Sequence, residues 1–271
     1  MMTRQPAVAG QFYPGEASAL RDAVEGYLGA SGVQAAPERV RVLIGPHAGY
    51  VYSGPTAGYI FARARGKKPT RVVLLGRSHR HYFEGASIWA SGAFETPLGR
   101  LPIDEAWAQQ LGADAGAAPP DPHHHEHCLE VMLPFLQVAL GEIPVVPILF
   151  GEDPLPWHLR FGERLATFMD PSDLLVVSTD LSHYLPEARA NQIDKVSLDA
   201  ILSRDTERLL RGLADDTCSM CGGTAVAAAM AFGNAIGADD WRLLDYRTSG
   251  RAAGDYSRVV GYGAISIERN P

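Results

Sequence analysis

Leu174-Leu175-Val176-Val177-Ser178-Thr179-Asp180-Leu181-Ser182-His183 is an apolar run that ends in a polar loop carrying an aspartate and a histidine. The pattern occurs twice more. Arg41-Val42-Leu43-Ile44 runs into Gly45-Pro46-His47-Ala48-Gly49-Tyr50, and Arg71-Val72-Val73-Leu74-Leu75 runs into Gly76-Arg77-Ser78-His79. Short apolar runs bounded by Gly, Pro and Ser read as buried strands. In a parallel sheet the carboxyl ends of the strands share one edge, and ligand sites form there. Three such loops on one edge would bring His47, His79, Asp180 and His183 together, which is how a metal site or an acid/base site is built.

Outward from these runs, strands alternate with helical periodicity. Leu20, Val24 and Leu28 fall on one face of a helix expected over residues 17–28. Further helices are expected at 56–64, 105–111, 157–169, 192–203, 206–213 and 223–236. Residues 85–90 and 145–150 read as strands, and Thr96-Pro97-Leu98-Gly99-Arg100 as a hairpin turn. Residues 241–248 and 259–267 read as a closing antiparallel pair. Leu129, Met132, Leu133, Leu136 and Leu140 stand at helical spacing, with Pro134 interrupting them. Residues 6–14 are apolar and aromatic without helical period, which suggests an ordered N-terminal arm. Residues 112–122 are small, polar and proline-rich and read as a surface loop. The alternation predicts an α/β fold: a single domain over residues 1–271, in three layers around a central, largely parallel or mixed sheet.

The chain has 271 residues, 46% of them hydrophobic and 20% charged, enough for a full core. The net charge of −7 and the lack of a basic stripe argue against nucleic-acid binding. No window approaches 18 uninterrupted apolar residues, so no membrane span is expected. The start, Met1-Met2-Thr3-Arg4-Gln5-Pro6, lacks the apolar stretch of a signal peptide. Three cysteines argue against a disulfide framework and for a cytoplasmic location.

His47 and His79 each follow a buried strand and suit metal ligation through one imidazole nitrogen; either is otherwise a loop histidine bonded to backbone. His81, two residues on, would face the same side on an extended backbone and reads as a solvated loop residue or as an alternative ligand. Asp180 and His183, three apart, would share a face of a helical turn, as a carboxylate–imidazole pair or as a simple N-cap. In His123-His124-His125-Glu126-His127 the first three read as exposed and incidental, while His127 borders the apolar run and is the one expected to be held in place. Cys218 and Cys221 form Cys-x-x-Cys, which reads as a redox pair, as half a zinc site, or as the source of one thiolate ligand. The helix expected from residue 223 favours the thiolate at Cys221. Cys128 reads as an inert core residue in a helix. No phosphate loop, dinucleotide fingerprint or nucleophile elbow follows any strand.

Six motifs in one order resemble the Memo family. They are Ala9-Gly10-Gln11-Phe12-Tyr13-Pro14, Pro46-His47-Ala48-Gly49-Tyr50, Gly76-x-Ser78-His79, Glu126-His127-x-x-Glu130-x-x-Leu133-Pro134, Ser178-x-Asp180-x-Ser182-His183 and Cys221-Gly222. The resemblance spans nearly the whole chain. It implies a fold similar to the class III extradiol non-haem-iron dioxygenases, which hold Fe(II) with two histidines and one carboxylate. It places the metal ligands on His47, His79 and Cys221, the last where those dioxygenases have a carboxylate. It places the acid/base positions on His127 and His183, with Asp180 beside the latter. A thiolate is softer than a carboxylate and shifts preference toward copper or zinc.

The expected function is a metal-binding redox or dioxygenase-like protein, with Fe(II) or Cu as cofactor, and Zn as a further candidate. The alternative is a non-catalytic module binding a peptide or protein on the same scaffold, and a zinc hydrolase is a weaker third reading. The substrate or peptide ligand is unassigned. The resemblance also suggests a partner in a radical-SAM system, since Memo-like proteins of bacteria and archaea resemble one part of such a system.

Overall fold

The structure is a computed structural model, and it describes residues 3–115, 121–152 and 154–270. The chain opens with β1 (Thr3–Arg4), α1 (Ala17–Ala30), β2 (Val40–Gly45), α2 (Tyr50–Arg63) and β3 (Val72–Arg77). Then come β4 (Ala86–Ile88), the hairpin β5 (Ala93–Thr96) and β6 (Gly99–Pro102), α3 (Glu105–Ala115), α4 (Leu133–Leu140) and β7 (Val145–Phe150). The second half holds α5 (Leu155–Phe168), β8 (Leu174–Ser178), β9 (His183–Leu185), α6 (Glu187–Leu202), α7 (Thr206–Ala214) and α8 (Gly223–Ala235). It closes with β10 (Asp240–Thr248), α9 (Gly250–Ala253) and β11 (Val259–Glu268).

The main sheet has the order β10-β11-β2-β8-β3-β7-β4, with β9 added to β11. Its four central strands, β2, β8, β3 and β7, are parallel, and its outer strands are antiparallel. The sheet is therefore mixed. Every residue of β2, β7 and β8 is buried, as expected of strands covered on both faces. Helices α1, α2 and α4 pack together as one layer, and α5, α7 and α8 as another, and both layers rest on the sheet. A smaller sheet, β1-β5-β6, ties the N-terminus to the hairpin.

The register levels the carboxyl ends of three strands. Gly45 of β2 pairs with Ser178 of β8, and Leu75 of β3 pairs with Val177. Because β8 lies between β2 and β3, the loop after Ser178 is flanked by the His47 and His79 loops. This is the shared edge expected from the three runs.

Several local expectations are corrected. Helix α2 starts at Tyr50, six residues before 56, and contains Pro55. A proline there leaves the Val51 carbonyl without its helical donor, at a residue that is 71% exposed. Pro134 does not interrupt a helix. It occupies the first turn of α4, where a missing N–H removes no helical bond, and Glu130–Met132 before it is a single 3-10 turn. Residues 180–183 form no helical turn. Leu181 N–H donates to Gly261 O and Gly261 N–H to Ser182 O, which draw the loop onto β11 instead. Helix α3 runs four residues past the expected 111, and residues 116–120 of the expected loop lie outside the described residues.

Candidate metal centre

His47 is buried, and its backbone N–H donates to Asp180 Oδ1 at 2.8 Å. Its Nδ1 lies 2.7 Å from Ser178 Oγ, and that hydroxyl donates its own proton to Cys128 O, also at 2.7 Å. A hydroxyl has one proton to give, so Ser178 accepts from His47, and Nδ1 is the protonated nitrogen. The lone pair on Nε2 is then free, and it faces Cys221 Sγ at 3.4 Å.

His79 is fixed in the same sense by a different group. Its Nδ1 lies 3.0 Å from Glu126 Oε1, and its backbone N–H donates to Oε2 at 2.6 Å. Burial opposes the charge on Glu126, but hydrogen bonds from His127 and His79 hold its carboxyl well below the usual range. An ionised carboxylate only accepts, so Nδ1 of His79 carries the proton and Nε2 turns toward Cys221. Burial works against a charged His79, yet the hydrogen bonds to Cys221 and Glu126 prevail and push it up to about 9.

Cys221 stands just before α8. Its Sγ receives the Asp180 N–H at 3.2 Å, and its own N–H donates to Asp180 O. Gly222 follows, so close to Ser178 that a Cβ there would lie 2.5 Å from Ser178 O. Only glycine lets the Cys221 turn meet the end of β8. The ligand atoms of His47, His79 and Cys221 all lie within 4.8 Å of one another.

The other expected residues surround this set. The His127 ring centroid lies 5.4 Å from that of His47 and 5.0 Å from that of His79, so three imidazoles form a triangle. Asp180 is buried between the His47 and Cys221 loops and binds both through the contacts above. His183 is half-buried at the start of β9. Burial pushes it below the ordinary histidine range, against the pull of the Asp180 carboxylate. Cys218 is directed elsewhere: a Cβ on Gly212 of α7 would lie 2.4 Å from its Sγ. A cavity of about 420 Å3 opens onto Cys221 and His79, rimmed by Arg77, Ser78, Arg80, His81, Tyr82 and Glu152.

A family model described as Memo-like protein matches residues 4–266. The chain belongs to the Memo-like family. The MEMO1 family protein of Methanopyrus kandleri is 36% identical over 282 residues, covering 99% of this chain and 100% of that one. Those of Nitrosopumilus maritimus and Thermotoga neapolitana are 34% and 35% identical and cover 98% and 96% of this chain, and 100% and 98% of their own lengths. An uncharacterised protein of Escherichia coli K12 has a crystal structure that matches with a TM-score of 0.54 at 17% identity, covering 84% of this chain and 99% of that one. That likeness concerns the fold alone, which is the mixed α/β architecture expected for a Memo-like chain.

The N-terminal arm of this Memo-like chain is clasped by Glu130, which touches none of the three candidate ligands. Glu130, fully buried, accepts from Arg4, from the N–H groups of Ala7 and Val8 at 2.8 and 3.0 Å, and from Tyr13 OH at 2.6 Å. Arg4 also donates to the carbonyls of His123 and Glu126. Phe12 packs edge-on against His127, with centroids 5.0 Å apart.

Two readings of single residues change. His123 is not exposed: it is 1% accessible and bonded through Nε2 to Ser87 O, while His124 and His125 are exposed as expected. Cys128 is buried, as expected, but in a turn rather than a helix. Sequence reasoning assigned no role to Glu126 or Ser178. The available signals were a carboxylate set between histidines and a hydroxyl at the end of a strand whose neighbour carries His47.

His79, Glu126 and Cys128 also bring three donor atoms within 4.8 Å. Their hydrogen bonds account for them. Both Glu126 oxygens hold N–H groups, and the Cys128 thiol points at Arg77 O at 3.5 Å. Burial, and then the Glu126 charge, push the Cys128 thiol well above its usual range, so it stays protonated. This cluster braces the centre.

Proposed function

We propose that this Memo-like protein holds one redox-active transition-metal ion, iron or copper, on His47, His79 and Cys221. The observation that carries the reading is that both imidazoles are locked with Nε2 toward one sulfur, by Ser178 and by Glu126. Two borderline nitrogen donors and one soft thiolate suit such an ion. When bound, it would supply electron transfer or activation of oxygen toward a small substrate.

The chain's own residues would do the rest. The cavity bounded by Arg77, Arg80 and Tyr82 would admit and orient the substrate beside Cys221. His183, kept neutral by burial, would accept a proton at its imidazole, with Asp180 beside it favouring the charged form once made. His127, packed between Phe12 and the ligand histidines, would be the second proton-handling group.

Loading the purified protein anaerobically with Fe(II) or Cu(I), then exposing it to oxygen, tests the reading. A one-equivalent ion that changes oxidation state, with spectra that depend on Cys221, is the expected result. Retention of Zn(II) alone, with no redox change for iron or copper, would sink it.

A further inference from the structure

Residues 126–128 support both candidate ligand histidines. Glu126 holds His79 directly. Cys128 offers its carbonyl to Ser178, which holds His47. The Glu126 carboxylate is 2% exposed and cannot drift, because three backbone N–H groups pin it: His79 on Oε2, and His127 and Cys128 on Oε1 at 2.9 and 3.1 Å. The His127 Nδ1 stands 3.2 Å from the same Oε1 without a hydrogen bond to it, so Glu126 places His127 through its backbone N–H. One fixed carboxylate therefore sets the orientation of a candidate ligand and the placement of a candidate proton carrier.

We infer that Glu126 is the positioning residue of the centre, holding His79 with Nε2 toward Cys221 and seating His127 in the same frame. This rests on the metal reading above. A carboxylate behind a ligating imidazole fixes its tautomer and makes it a better donor, and removal of such a group weakens metal affinity about 10–100-fold. Glutamine is a poor replacement here. Its amide group carries two N–H donors, and each carboxylate oxygen already faces N–H donors, so one set must oppose the other. Aspartate keeps the charge but falls one methylene short.

The test is a Co(II) titration of wild type, Glu126→Gln, Glu126→Asp and Glu130→Gln, read by the thiolate-to-cobalt absorption band and by thermal melting. Glu126→Gln is expected to raise the Co(II) Kd about 10–100-fold and to shift the band. Glu126→Asp is expected to recover part of the affinity. Glu130→Gln removes an equally buried carboxylate from the same segment without touching His79, so it should lower the melting temperature and leave band and Kd as in wild type. A wild-type band and Kd in Glu126→Gln would overturn the inference, as would an equal loss of Co(II) in Glu130→Gln. Should Glu126→Gln fail to fold, Glu126→Asp decides the matter: a shifted band supports the assignment and an unshifted one refutes it. A wild-type protein that binds no Co(II) at Cys221 would instead refute the metal reading itself, and the inference with it.

Discussion

Cys221 Sγ lies 3.4 Å from His47 Nε2, across 174 residues of sequence. Neither residue reaches the other through its own element. His47 follows β2 and Cys221 precedes α8, and Asp180, after β8, bonds to both. The contact exists because β8 lies beside β2 and because Gly222 lets the α8 turn close on Ser178.

The hydroxyl of Ser178 sets the His47 tautomer, so Ser178→Ala should weaken metal binding while leaving the fold intact. The loss expected for a group supporting a ligand histidine is about 10–100-fold in affinity. Metal titration with a circular-dichroism control measures it, and an unchanged affinity would count against the tautomer argument.

Arg4 and Glu130 form an ion pair that is 1% and 0% exposed. Removing one partner of a buried pair leaves the other charge uncompensated, which costs about 3–5 kcal/mol. Arg4→Ala should therefore lower unfolding stability by about that amount in urea, although Arg4 lies in a two-residue strand near the chain start. A change under about 1 kcal/mol, the scale of an exposed pair, would show that the arm is not clasped as described.

His123 makes stability pH-dependent. Burial holds its imidazole down to about 3, from an ordinary value of 6.5. Between those values the unfolded chain binds a proton at this position and the folded chain does not. Its contribution is complete above pH 6.5 and is lost as the pH falls toward 3. His123→Gln retains a donor for Ser87 O and removes the titration. The difference in stability between wild type and variant should thus slope downward for wild type across that window in urea melts at stepped pH. Parallel curves would contradict the buried neutral state.

Cys218 and Cys221 should behave differently in spite of their Cys-x-x-Cys spacing. Cys218 packs on Gly212 and Cys221 faces the histidines. Cys218→Ser should keep full metal content, and Cys221→Ser should lose it. Equal losses would revive the redox-pair or paired-ligand reading.

The fold was legible because each parallel strand carries a continuous apolar run, at residues 42–44, 72–75, 145–150 and 174–177, so β2, β3, β7 and β8 announce themselves without any alternation. Their loops then carry His47, His79, Asp180 and His183 to one edge by topology alone. What could not be read depends on packing between distant segments. The Ser178 tautomer lock needs Cys128 O, 50 residues away, and Glu126 meets His79 across 47 residues. Pro134 misled for a related reason. A proline reads as a breaker until its position in the turn is known. His123 looked like part of a solvated run because burial under the arm, through Arg4, leaves no local trace.

The central claim is that His47, His79 and Cys221 together hold one metal ion. Metal analysis of anaerobically purified protein tests it most directly, on wild type and on the paired variant His47→Ala with Cys221→Ser. The account predicts one iron or copper per wild-type chain and none in the variant, with the variant's circular dichroism unchanged. A wild-type chain without stoichiometric metal, or a variant that keeps it, would contradict the account.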